Sequence, residues 1–230
     1  MLGVIGALEV EVEGIIGKMS NNEVQTYSGI SYVKGKWNNA EIVVAQCGIG
    51  KVNAAICAQT MILMYSPETI INTGVAGSLS PNVKINDVVI GKYSVHHDID
   101  LARLELNIGF IEGLDELLIP CTQNVVDSLE SAAKKHGNYH LGIIATGDQF
   151  ISSGDIKSKI YKNFNALACE MEGASIAQVC YLNKIKCGII RAISDNADED
   201  SDFDFNEFLQ GASQKSLQIL EEFITTQNTH

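Results

Sequence analysis

The chain has 230 residues, enough for one sizeable core, and reads as one domain over residues 1–230. Its 28 acidic against 16 basic side chains give a formal charge of −12. That argues against a nucleic-acid surface, because phosphate backbones are held by clustered Lys and Arg. No apolar run approaches the roughly 18 residues of a membrane span. Cys47, Cys57, Cys121, Cys169, Cys180 and Cys187 form no CxxC pair and follow no signal peptide, which suits reduced, buried thiols in a cytoplasmic protein.

In chain order, Gly3-Val4-Ile5 predicts a short buried strand, and Glu9 and Glu11 open a helix directly after it. Residues 27–45 read as two strands broken by a turn at Asn38-Asn39, so part of the sheet is expected to be antiparallel. A helix is expected over 51–65. Strands follow at Thr69-Ile70-Ile71 and Asp87-Val88-Val89-Ile90, then a helix over 121–135 and a strand at Gly142-Ile143-Ile144. Helical spacing returns over 171–183, before an apolar strand at Gly188-Ile189-Ile190 that runs into Arg191 and Asp195. The alternation predicts helices covering a central sheet. Seven acids lie between Asp195 and Glu207, read as a solvated loop entering a last helix over 206–226. That helix carries Phe208, Leu209, Ala212, Leu217, Leu220, Phe223 and Ile224 as a core-facing stripe.

Several motifs admit two readings. Gly48-Ile49-Gly50-Lys51 lacks the upstream Gly of a phosphate loop and has Val52 where a hydroxyl would hold magnesium, so that reading fails. Gly3 and Gly6 do not complete a dinucleotide fingerprint. His96-His97-Asp98-Ile99-Asp100 resembles a metal cluster, but adjacent residues on a strand point to opposite faces. Thr73-Gly74-Val75-Ala76-Gly77-Ser78, just after a strand, is either a plain turn or a close backbone approach to a ligand. Glu9 and Glu11 serve either the helix N-terminus or a ligand beyond the strand ends. Arg191 and Asp195, leaving a buried strand, mark either a structural ion pair or a site.

Six separated segments then act together. Gly6-Ala7-Leu8-Glu9-Val10-Glu11, Cys47-Gly48-Ile49-Gly50-Lys51-Val52 and Asn72-Thr73-Gly74-Val75-Ala76-Gly77 are followed by Gly147-Asp148-Gln149-Phe150-Ile151, Glu170-Met171-Glu172 and Arg191-Ala192-Ile193-Ser194-Asp195. In order and spacing, over nearly the full length, the chain resembles the 5′-methylthioadenosine/S-adenosylhomocysteine nucleosidases of the nucleoside phosphorylase superfamily. The resemblance implies a three-layer α/β/α sandwich around a twisted, mixed β-sheet, a homodimer, a small nucleoside as substrate, and neither metal nor other cofactor. It assigns Asp195 as acid to adenine N7, Glu11 as the group activating water, and Arg191 as the residue orienting the site. Glu172 would bind the ribose hydroxyls and Met171 would pack on the sugar. Phe150 would stack on the purine beside the Ile151 backbone; Leu8, Ile49, Ser194 and Phe205 complete the substrate-binding set.

Two departures accompany it. Val75 stands where many relatives have Ser, and residues 104–112 lack the aromatic and Gly-Gln-x-Pro pattern that in relatives helps cover the 5′-thio tail across the dimer. Leu101, Leu104 and Leu106 are candidates to form an apolar tail pocket there.

The implied chemistry suits the residues. Breaking an N-glycosidic bond develops positive charge on the ribose and negative charge on the departing base, so a carboxylate and an acid both act on the transition state. Phosphorolysis would need arginine clamps, and Arg103 and Arg191 are the chain's two Arg. Alternatives are a hydrolase of another 5′-modified nucleoside of the futalosine type, a phosphorylase, and a non-catalytic nucleoside-binding protein.

Overall fold

The structure is a computed structural model that describes residues 1–114 and 116–227. Its first half contains β1 (Leu2–Gly6), α1 (Glu9–Ile16), β2 (Ser20–Tyr27), β3 (Ile30–Trp37), β4 (Ala40–Gln46), α2 (Lys51–Tyr65), β5 (Thr69–Ser78) and β6 (Val88–His96). After a short turn of 3₁₀-helix at Ala102–Leu104 come β7 (Ile119–Pro120), α3 (Gln123–Ala133), β8 (Tyr139–Thr146) and α4 (Gly154–Phe164). The chain then forms β9 (Ala168–Glu170), α5 (Gly173–Asn183), β10 (Lys186–Asp195) and α6 (Ser201–Gln227).

The strands form one mixed sheet, as expected. β2, β3 and β4 are antiparallel neighbours, and β4, β1, β5 and β10 run parallel. The parallel strands read as near-continuous Val and Ile because both faces are covered; Val4, Ile5, Ile42, Val43, Ile70, Ile71, Ile189 and Ile190 have no exposed surface. One helix group, α1, α3 and α6, packs on the sheet, and a second, α2 with α5, covers the same central strands from the other side. The sheet also closes on itself, through β5, β10, β6, β8, β9 and back to β5. That ring was not anticipated, because β9 has only three residues and no apolar run to announce it.

Three boundaries differ from expectation. β2 is an exposed polar edge strand, without the apolar alternation that marks a half-buried one; it exists because Ser28 (φ 52°) and Gly29 (φ 77°) form a tight hairpin turn onto β3. The predicted Asn38-Asn39 turn is the same device between β3 and β4, with φ of 48° and 68°. α6 begins at Ser201, so Asp202 and Asp204 lie in its first turn, where acids complement the helix dipole, and not in a loop.

The third correction positions the site. Thr73–Ser78 is no turn: β5 continues through Ser78, fully buried, with β10 in register alongside it. On its other edge, β1 pairs only as far as Asn72 and β9 begins only at Gly77. The intervening backbone faces a break between strands. Opposite Arg191 in the β5–β10 register stands Gly74, and opposite Asp195 stands Gly77. A Cβ on Gly74 would lie 2.6 Å from Arg191 Nη1 and closer still to Glu11 Oε1; one on Gly77 would lie 2.7 Å from Asp195 Oδ1. Glycine is required here by neighbours, because strand φ/ψ by itself admits any residue.

Gly74→Ala is therefore expected to lower unfolding stability by about 1–3 kcal/mol through overpacking. Gly211→Ala, in α6 with no non-local atom nearer than 4.0 Å to the added Cβ, should be neutral or stabilising by up to about 1 kcal/mol. Chemical denaturation of both variants checks this; equal stability of the two would contradict the packing argument.

Candidate active site

The break beside β5 leaves the backbone of Val75 without a strand partner on that edge, and buried peptide groups need partners. Two side chains supply them. Val75 N–H donates to Glu11 Oε1 at 3.0 Å, and Val75 C=O accepts from Arg191 Nη1 at 3.2 Å. Arg191 Nη2 donates to Asn72 Oδ1 and pairs with the Glu170 carboxylate, and it lies 3.6 Å from Glu172 Oε2. Arg191 is 1% exposed. Burial alone would push its pKa down, but Glu170, Glu172 and Glu11 around it hold the guanidinium above its usual value.

Glu11 sits in the first turn of α1, where its carboxylate reaches back to the helix start. Oε2 accepts from Ala7 N–H at 2.7 Å and Leu8 N–H at 2.9 Å, half of a capping box. With Val75, three N–H groups thus fix the carboxylate, which is buried and still borders a cleft. Glu11 thus accepts hydrogen bonds at the helix start and also lines the cleft. Glu9 is exposed and does not line it.

Glu172 caps the loop before α5 and accepts from Gly50 N–H at 2.8 Å. Burial and the nearby Glu170 push its carboxyl up to about 7, against the pull of Arg191 and the Gly50 N–H. Asp195 ends β10 and is 3% exposed. Burial raises its pKa above the ordinary carboxyl range, although Ala197 N–H (2.9 Å to Oδ1) and Ser194 Oγ (2.8 Å to Oδ2) donate to it. Asp195 pairs with Gly77 and Glu11 bonds to Val75, two residues apart on β5, or roughly 6–7 Å along a strand.

These groups border one cleft, apolar in its walls with a few polar groups converging in it, the make-up of a small-molecule site. Glu11, Glu172, Arg191, Ser194 and Asp195 line its floor, with Leu8, Ile49, Phe150, Ile151, Met171 and Phe205 around them. Phe150 and Phe205 meet edge to face, ring centres 5.7 Å apart. The structure thus brings together all the sequence-predicted site residues except Leu101 and Leu104, which do not line the cleft; Leu104 is 67% exposed. His96 Nε2 is within hydrogen-bond distance of Gln178 Oε1 (3.1 Å), and all six Cys are buried free thiols.

Sequence reasoning gave no role to Glu170, Asn72 and Thr146, and passed over Cys169 and Gln149 in the cleft wall. Glu170 receives Thr146 Oγ1, Glu172 N–H and Gly173 N–H besides Arg191. A polar Asn or Thr within an otherwise apolar strand was the available signal for the first-named group.

Comparison with known proteins agrees with this geometry. The sequence profile of the Phosphorylase superfamily matches residues 1–225. A 5′-methylthioadenosine/S-adenosylhomocysteine nucleosidase of Shewanella loihica is 37% identical over 94% of both chains. The Neisseria meningitidis nucleosidase of that name, solved with methylthio-immucillin-A, superposes with a TM-score of 0.95 at 34% identity, covering 98% of each chain. A Helicobacter pylori futalosine hydrolase superposes with a TM-score of 0.94 at 34% identity, covering 98% of this chain and 97% of its own. With the profile spanning almost the whole sequence, and with fold and sequence similarity extending together over more than nine-tenths of the chain, this protein belongs to the 5′-methylthioadenosine/S-adenosylhomocysteine nucleosidase family of the phosphorylase superfamily.

Proposed function

We propose that the chain, acting as a single domain, hydrolyses the N-glycosidic bond of 5′-methylthioadenosine and S-adenosylhomocysteine, releasing adenine and the 5-thioribose product. The observation that carries the reading is the pair of buried carboxyl groups, Glu11 and Asp195, lining one cleft and anchored two residues apart on β5.

Asp195, whose burial favours its protonated form, donates a proton to adenine N7 as the glycosidic electrons move onto the base. Glu11 takes a proton from water, whose oxygen attacks C1′, so the elements of water are divided between sugar and base. The two oxygens of Glu11 accept three N–H groups in the protein, leaving acceptor capacity for that water. Arg191 holds the carboxylates in place. Glu172 accepts from the ribose hydroxyls, Met171 lies on the sugar, and Phe150 with the Ile151 backbone receives the purine.

Water is favoured over phosphate for an electrostatic reason. Both Nη groups of Arg191 are engaged by Asn72, Val75 and Glu170, and Arg103 is exposed on the 3₁₀ turn. A phosphate dianion would enter beside the Glu11 carboxylate, and the guanidinium nearest it is already committed to Glu170.

The α2 surface adjoining the cleft is apolar and exposed: Ile49 is 53%, Val52 69% and Ile56 41% exposed. This supports a homodimer through that face, with Leu101 and Leu104 of one protomer covering the 5′ tail in the other. No described helix is long and apolar enough to cross a membrane, and the free thiols suit the cytoplasm. The likeness to the futalosine hydrolase, together with the divergent 101–112 segment, favours a second reading in which a larger 5′ substituent is preferred; relative rates across 5′-modified adenosines separate the two.

Adenine should be released from methylthioadenosine at the same rate with and without inorganic phosphate, as read by chromatography, and a strict phosphate requirement would contradict hydrolysis. Asp195→Asn and Glu11→Gln should each lower kcat/KM by about 100- to 10,000-fold; near-normal turnover in either sinks the assigned roles. Because the Glu172 carboxyl titrates at about 7 and accepts best when ionised, KM should rise as pH falls below that value. In Glu172→Gln, KM should be high and independent of pH between 5 and 8.

A further inference from the structure

We propose that Asp98 is a positioning residue of this enzyme, a clamp that fixes the two cleft walls carrying Ile49 and Phe150 relative to each other. The proposal rests on the nucleosidase reading above. Asp98 lies two residues beyond β6, outside the lining of the cleft. Its Oδ1 accepts from Lys51 Nζ at 2.6 Å and its Oδ2 from Asp148 N–H at 2.9 Å. Lys51 begins α2 and Asp148 belongs to the loop after β8, so each oxygen of one carboxylate holds a different element. A third bond closes the triangle, Lys51 N–H to Asp148 Oδ1 at 2.8 Å.

The clamp sits one step from the substrate-facing residues on both sides. Ile49 precedes Lys51 by two residues and Phe150 follows Asp148 by two; they are 53% and 46% exposed, and the Phe150 ring meets Phe205 on one side. Between Ile49 and Lys51, Gly50 donates its N–H to Glu172. Gly50 has φ of 100°, and a Cβ there would stand 3.0 Å from Asp148 Oδ1, so the loops touch backbone to side chain with no room for another group. Burial would raise the Asp98 carboxyl, but the Lys51 ammonium and the Asp148 N–H outweigh it and hold it below the usual range. Both oxygens are therefore acceptors at neutral pH. Asn at this position has one acceptor oxygen and turns an NH₂ toward a donor, so it can keep at most one arm.

The walls touch the nucleoside in the ground state and in the transition state alike, so loosening them costs binding and spares chemistry. Kinetics with methylthioadenosine and calorimetric titration of adenine test this. In Asp98→Asn, KM should rise about 10- to 100-fold, on the scale of one lost hydrogen bond to a charged group, with kcat within about threefold of wild type and adenine affinity weakened by about tenfold or more. Lys51→Met, which cuts one arm, should move KM the same way by no more. Unchanged KM and adenine affinity in Asp98→Asn, or a fall in kcat with KM unchanged, would overturn the proposal. If Asp98→Asn does not fold, Lys51→Met decides: a raised KM supports the clamp and a wild-type KM overturns it. If the wild-type protein turns over no nucleoside, the nucleosidase reading fails, while adenine titration still judges the clamp; absence of adenine binding as well overturns both.

Discussion

The buried pairing of Arg191 with Glu170 is the interaction on which the cleft depends. Taking both charges out of water is costly, and the cost is offset only where hydrogen bonds satisfy the remaining atoms. Here they do so by replacing a missing strand: between the end of β1 pairing at Asn72 and the start of β9 pairing at Gly77, Arg191 and Glu11 serve the Val75 backbone that a neighbouring strand would otherwise serve. The opening between strands is what makes a cleft, and the charged side chains that fill its floor are what let the sheet tolerate it.

The same arrangement divides the labour among the carboxyl groups. Glu170 is consumed by Arg191, Thr146 and the start of α5. Glu11 is fixed by three backbone N–H groups. Glu172, with a single backbone donor and like charge nearby, is pushed up to about 7. Asp195 lies at the far end of β10, beyond the direct contacts of Arg191, where burial dominates and its pKa rises. One strand, β10, therefore delivers the cation at its middle and the acid at its end, four residues apart, and glycines on β5 leave space for both. The differing surroundings of these carboxyl groups follow from place in the sheet, more than from residue type.

Much of this was legible beforehand. Apolar runs located the central strands, Asn38-Asn39 located a hairpin, and the motif set assembled eleven of the thirteen candidate side chains that the structure gathers in one cleft. What escaped has physical causes. The polar edge strand β2 depends on turn geometry at Ser28-Gly29 instead of burial. Thr73–Ser78 looked like a turn because its glycines usually signal one, whereas here they answer to Arg191 and Asp195 on another strand. The closing of β9 onto β5, and the role of Glu170, are long-range pairings with no local signature. Leu101 and Leu104 do not line the cleft.

The most direct test of the central claim is the unfolding free energy of Arg191→Met against wild type at pH 5 and at pH 8. Without the guanidinium, the buried Glu172 faces Glu170 and Glu11 uncompensated, and protonation of Glu172 at low pH relieves that repulsion. The destabilisation should therefore be about 3–5 kcal/mol at pH 8, the cost of breaking a buried pair, and clearly smaller at pH 5. An equal loss at the two pH values would mean that Arg191 matters as packing volume only, and would contradict its role as the cation that holds the cleft together.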